Sequence, residues 1–195
     1  MTHYQDITLA PDAETCANHL LAAVHSRLHI ALAEVGSGDI GISFPGYSYA
    51  PDRKKKELNT LGTVLRLHGT AQALAALMAR EWLAHLREQV GMASAREVPP
   101  GTGSLKVRRI QIRSSPARIR RRQMKRHGLT EAEALALYPD GNGKTTDLPF
   151  LRLRSHSNGN PFLLFISQYP VDAASTGKFN IYGLSDEATV PNLDF

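Results

Sequence analysis

Apolar and polar residues alternate with two different periods along this chain, and the change of period marks its elements. Tyr4 to Leu9 is short, mixes aromatic and β-branched residues and stops at Pro11-Asp12, which predicts a first strand. Leu20, Leu21, Val24, Leu28, Ala31 and Leu32 recur at steps of three and four, the mark of an amphipathic helix, which should stop near Gly36-Ser37-Gly38. Ile40 to Phe44 and Leu61 to Leu67 read as strands, separated by a polar loop that carries Arg53, Lys54, Lys55 and Lys56. Thr70 can cap a second helix running through Leu74, Leu77, Met78, Trp82, Leu83 and Leu86, and Ala93 to Val98 suits a fourth strand. The order β-α-β-β-α-β is the ferredoxin-like pattern, which RNA-recognition folds share, although the stacking aromatics usual on such sheets are not evident here.

Pro99 to Ser104 combines backbone breakers with small residues, and is the expected linker between a domain at 1–98 and a second at 105–195. Val107 to Ile112, with Arg108, Arg109, Gln111 and Arg113 interleaved, reads as a linker that could lie along a nucleic acid. A helix from Pro116 to His127 follows, with Ser115 as cap, Pro116 at its first turn and Gly128 as its stop. Thr130 and Glu133 form a capping box for a short helix ending near Pro139-Asp140-Gly141. Phe150 to Ser155 and Phe162 to Gln168 look like paired strands around the turn 157–160, with Phe179 to Gly183 as a last strand. The expected class is α+β: a ferredoxin-like (RRM-like) βαββαβ domain, then a domain with an arginine-rich helix and a small β-hairpin sheet.

Charge changes this picture most. Ten of the 23 Lys and Arg lie between Lys106 and Arg126, leaving 13 bases against 18 acids elsewhere in the 195 residues. No acid occurs between Glu97 and Glu131, so i,i+4 ion pairs cannot neutralise the helix from within. A mildly acidic body with one dense cationic element is the balance of a nucleic-acid reader. A solvated basic face is the plain alternative. Arg109 and Gln111 are residue types that pair bidentately with guanine and adenine.

The single cysteine, Cys16, excludes an internal disulfide and a Cys-rich zinc site. His25 and His29 stand at helical i,i+4 spacing, but no ligand frame completes a metal site around them. No window approaches a membrane span, and the amino terminus lacks the charge and apolar run of a signal peptide, so a cytoplasmic protein is expected.

M-T-H-Y-Q-D-I at 1–7, L-H at 28–29, I-G-I-S-F-P at 40–45, the run R-R-I-Q-I-R-S-S-P-A-R-I-R-R-R-Q-M-K-R-H at 108–127, D-L-P-F-L-R-L-R-S-H-S at 147–157 and Y-G-L-S at 182–185 together resemble the CRISPR-associated endoribonucleases of subtype I-F. The matches span nearly the whole chain in order. The resemblance implies an enzyme that cuts the CRISPR repeat in precursor RNA at the base of a hairpin and keeps the mature product, with other subunits of a surveillance complex as further partners. It implies a catalytic histidine at His29, a partner serine at Ser155 and a supporting tyrosine at Tyr182. Arg109 and Gln111 would read bases, Phe162 would stack under the terminal base pair, and Arg118, Arg121, Arg122 and Arg126 would line the hairpin's groove. Lys125 stands where the family has an arginine, and the loop at 54–56 and the tail after Val190 also depart from its pattern. The chemistry expected needs no cofactor and no metal: RNA supplies its 2′-hydroxyl as nucleophile, and a histidine, whose free pKa is about 6.5, can take its proton. The rival expectation is a non-catalytic subunit that binds the same RNA hairpin.

Overall fold

The computed structural model describes residues 1–11, 15–51, 59–112, 116–139 and 146–193. Arg53, the lysines at 54–56, Arg113, Ser115 and Asp140-Gly141, on which expectations above fall, lie outside these. The described residues form two compact units, Met1–Ile110 with Leu148–Phe195, and Gln111–Asp147.

The larger unit holds two antiparallel sheets. In the first, β2 (Gly41–Ser43), β3 (Val64–Gly69), β1 (His3–Leu9) and β4 (Val90–Met92) lie in that order, and the short β5 (Arg96–Glu97) also pairs with β1. Between β1 and β2 runs α1 (Ala17–Val35), and between β3 and β4 runs α2 (Ala71–Met78). Every apolar position that predicts α1 is buried, from Leu20 to Leu32, against a core that includes Ile7, Leu65, Leu67 and Leu74. Gly36 ends α1 in the left-handed conformation at φ 66°, its N–H donating to the Leu32 carbonyl. Thr70 caps α2 by accepting from the Ala73 N–H.

The second sheet has the order β7 (Phe150–Arg154), β8 (Pro161–Val171), β6 (Gly103–Ile110), β9 (Val190–Asn192). Its buried residues, among them Val107, Leu151, Leu164 and Ile166, join the same core as those of α1 and the first sheet. The Gln168 side-chain amide donates to the Phe44 carbonyl, and its oxygen accepts from the Phe44 N–H, each at 2.9 Å. One side chain thus satisfies both backbone groups where β2 ends. α1 also packs on β7, which brings the polar edge of that helix to the end of the hairpin strand.

The smaller unit contains α3 (Pro116–His127) and α4 (Glu131–Leu137), packed on each other. Gly128 stops α3 at φ 67°, with its N–H on the Met124 carbonyl, and the Thr130–Glu133 capping box is complete.

Four expectations are corrected. Val107 to Ile112 is not an open linker: up to Ile110 it belongs to strand β6, which pairs with β8 from Ser104 to Ile110 and with β9 at Gly103 to Leu105. Its alternation is strand-like, with Leu105 and Val107 buried and Lys106 between them on the opposite face. The second helix ends at Met78, because Glu81 takes a positive φ of 49°. Trp82, Leu83 and Leu86 still reach the core from the irregular segment that follows. Of the strand expected at Ala93 to Val98 only Arg96–Glu97 forms, as β5, and the longer pairing with β1 is made just upstream by β4. Phe179 to Gly183 is a turn built on Asn180, whose side-chain oxygen accepts from the N–H groups of Tyr182 and Leu184. The last strand is β9.

The class is therefore α+β, with two antiparallel sheets and four α-helices among the described residues.

Candidate functional site

The turn at 180–184 is held from two sides, by β2 and by α1. Its Gly183, at φ 74°, lies so close to β2 that a Cβ there would sit 2.7 Å from Ile42 Cγ2, and the Ile42 N–H donates to the Gly183 carbonyl at 3.0 Å. The I-G-I-S-F-P and Y-G-L-S motifs, distant in sequence, are thus two sides of one contact. From α1, two histidines one turn apart grip successive carbonyls of the same turn. His25 Nε2 donates to Tyr182 O at 3.2 Å, and His29 Nδ1 donates to Ile181 O at 3.0 Å. The Tyr182 ring lies parallel to both imidazoles, 4.3 Å from His29 and 6.0 Å from His25 between centroids.

This grip decides the tautomers. A carbonyl can only accept, so His29 carries its proton on Nδ1, and Nε2 is left with a lone pair. His25 is fully buried, and burial, with the nearby His29 as a smaller cause, lowers its pKa from 6.5 to about 4. It is therefore a neutral structural donor near pH 7. The i,i+4 spacing that permits a metal in the sequence here serves the backbone instead.

His29 opens into a cleft of about 290 Å³, whose lining includes Ser26, Ser155, His156, Phe162 and Tyr182. Ser155 starts the turn between β7 and β8. Its N–H donates to the Asn160 carbonyl, its own carbonyl accepts from the Gly159 N–H, and its hydroxyl shares a hydrogen bond with Ser157 at 3.0 Å. Phe162 stands opposite Leu153 in the hairpin and meets Tyr182 edge-on at 6.4 Å. The Arg109 guanidinium, carried by β6, lies 5.6 Å from the Phe162 ring and 5.8 Å from the Tyr182 ring, within cation–π range. Of the sequence-predicted residues, His29, Ser155, Tyr182, Phe162 and Arg109 thus come together in one unit.

The other six lie in the smaller unit. Gln111 is exposed. Arg118, Arg121, Arg122, Lys125 and Arg126 fall at i, i+3, i+4, i+7 and i+8, so they share one face of α3, and all five are exposed. Pro116, Ile119, Arg120, Gln123 and Met124 are the half-buried residues of that helix, and Arg120 donates to the Tyr138 carbonyl beyond α4 at 2.5 Å. The thin apolar stripe is enough to dock α3 on α4 and to aim the cations away from it.

Sequence reasoning missed His156, Ser26 and Ser157 in the cleft, and the gripping role of His25. His156 was legible in principle, since it stands inside the R-S-H-S run itself.

The family model described as CRISPR-associated protein (Cas_Csy4) matches residues 4–193. The chain is 42% identical over 192 residues to the CRISPR-associated endonuclease Cas6/Csy4 of Pseudomonas aeruginosa (strain UCBPP-PA14), covering 98% of this chain and 99% of that protein. It is 38% identical, with the same coverage, to the protein of the same name from Escherichia coli (strain UTI89 / UPEC).

Proposed function

This chain belongs to the CRISPR-associated Csy4 family, and from that premise we propose that it is an endoribonuclease that recognises the CRISPR repeat stem-loop in precursor RNA and cleaves at the base of the hairpin. One observation carries the reading: His29 offers an Nε2 lone pair to a cleft that it shares with Ser155, while its Nδ1–H is tied to the Ile181 carbonyl. That is the arrangement a general base requires. In the proposed reaction Nε2 takes the proton of the 2′-hydroxyl next to the scissile phosphate. The 2′-oxygen attacks phosphorus in line and the bond to the 5′-oxygen breaks, leaving a 2′,3′-cyclic phosphate and a 5′-hydroxyl. Ser155 holds the 2′-hydroxyl in position, and Tyr182, stacked on the imidazole, keeps His29 oriented. The route calls for no metal.

Recognition is assigned to the cationic face of α3, with Arg118, Arg121, Arg122 and Arg126 on stem phosphates. Lys125 holds a phosphate there as a point charge, without the bidentate fork of an arginine. Arg109 and Gln111 read base edges, and Phe162 stacks under the terminal base pair. The major groove of A-form RNA is too deep and narrow for most side chains, so α3 is assigned to the lower stem near the cut, where the groove opens at the helix end.

The first sheet supports a ferredoxin-like amino-terminal domain at 1–98. Its order β2-β3-β1-β4, antiparallel throughout with helices after β1 and β3, is the arrangement that βαββαβ predicts. The recognition domain would be 105–195, beyond the linker 99–104. Family membership supports retention of the mature RNA and assembly with other subunits of a cytoplasmic surveillance complex. No helix among the described residues is long and apolar enough to cross a membrane.

The test is incubation with a CRISPR-repeat RNA hairpin in excess EDTA, followed by analysis of product ends. Cleavage to a cyclic phosphate and a 5′-hydroxyl supports the enzyme. Tight binding with intact RNA would replace it by the non-catalytic hairpin-binding subunit.

A further inference from the structure

In-line displacement places the entering 2′-oxygen and the departing 5′-oxygen on opposite sides of phosphorus. His29 has one nitrogen free for chemistry, because Nδ1 is committed to the Ile181 carbonyl. A proton collected on the nucleophile's side cannot be delivered by that nitrogen to the leaving oxygen without moving the ring off its carbonyl and off Tyr182. A separate donor is needed on the other side.

His156 is the second imidazole that the cleft offers for that role. It is exposed on the turn after β7, lines the same cleft, and its ring centroid lies 5.8 Å from that of His29 with the planes 28° apart. Its Nε2 shares a long hydrogen bond of 3.4 Å with Ser26 Oγ, on the turn of α1 that precedes His29. The cleft's other ionisable side chains are Arg154 from β7 and Tyr182, and Tyr182 is stacked on His29. The scissile phosphodiester brings a negative charge, which favours the protonated form of an imidazole beside it.

We infer that His156 is the general acid of the proposed reaction, its imidazolium protonating the 5′-oxygen as the P–O5′ bond breaks while His29 Nε2 receives the 2′-hydroxyl proton. The protons balance: one moves from RNA to His29, one from His156 to RNA, and solvent exchange restores both rings. The inference rests on the endoribonuclease reading above.

The test compares the ordinary repeat RNA with the same hairpin carrying a bridging sulfur in place of the 5′-oxygen at the scissile bond. A thiolate is a far weaker base than an alkoxide and leaves without a proton. His156→Gln should slow single-turnover cleavage of the oxygen substrate about 100-fold, yet cleave the sulfur substrate within about threefold of the unaltered protein, with RNA affinity kept. His29→Ala should slow cleavage of both substrates alike, by about 100-fold or more. Equal slowing of His156→Gln on both substrates, or no slowing on either, overturns the assignment while leaving the endoribonuclease standing. If the unaltered protein cuts neither substrate, the endoribonuclease reading falls and the assignment with it.

Discussion

The cationic helix α3 and the His29 cleft are built on opposite plans. Along α3 the same charge recurs five times on one exposed face, and the helix is docked through its other face. In the cleft His29, Ser155 and Tyr182 each come from a different element, α1, the β7–β8 turn and the turn at 180–184, and each is fixed by a hydrogen bond in which a backbone group takes part. Repetition makes binding graded, since losing one cation leaves four. Singularity makes chemistry close to all-or-none. The comparison therefore predicts which changes alter affinity, which alter turnover, and which do both.

The largest expected effect is on rate alone. His29→Ala should reduce single-turnover cleavage by about 10²- to 10⁴-fold or more while the dissociation constant for repeat RNA stays within a fewfold, measured by gel shift and cleavage on one RNA. A matching loss of affinity would mean that the cleft and the binding face are not separable.

Next is acid. His25 and His68 are buried, and burial lowers their pKa values from 6.5 to about 4 and about 3 respectively, with the Arg66 charge a further cause for His68. The unfolded chain therefore takes up these protons first as pH falls. Stability is full above pH 6.5 and is lost on descent through the window to about 4 and about 3, levelling off below. Urea unfolding at pH 4.5 against 7.5 should show a loss on the order of 2 to 3 kcal/mol per histidine. His68→Gln should flatten that dependence, and an unchanged slope would mean that His68 is not neutral in the fold.

Gly183→Ala places a methyl against Ile42 at a positive φ. It should cost about 1 to 3 kcal/mol in thermal or urea unfolding and slow cleavage more than it weakens binding, because it displaces Tyr182 and not α3. The smallest effect is the graded one. Arg122→Ala and Arg126→Ala should each weaken binding modestly, and lower the slope of log affinity against log salt by about 0.9 on duplex statistics. Slopes that stay put would leave these arginines as a solvated face.

The two regions also differed in how far they could be read from sequence. α3 is local: its start at Pro116, its stop at Gly128 and the capping box that follows all lie within a few residues of what they control, and α1 was legible from period alone. The cleft is non-local. Nothing in the neighbourhood of His25 says that its partner is the carbonyl of Tyr182, 157 positions away, so a metal-like spacing was the visible signal. β6 was read as a linker because its cations mask an alternation that only pairing with β8 and β9 reveals. The turn at 179–183 imitates a strand because Phe179, Ile181 and Tyr182 make it rich in apolar and aromatic residues, whereas Asn180 and the close approach of Gly183 to β2 set its path. His29, Ser155 and Tyr182 were singled out by resemblance, and the cleft supplies the physical reason for treating them as one site.

The central claim, that cutting belongs to the cleft and holding to α3, is tested most directly by single-turnover cleavage at saturating RNA with the double variant Arg122→Ala/Arg126→Ala. A cleavage rate equal to that of the unaltered protein, reached only at higher RNA concentration, is the predicted result. A rate that stays depressed at saturation would contradict it, placing the α3 arginines in the chemistry itself.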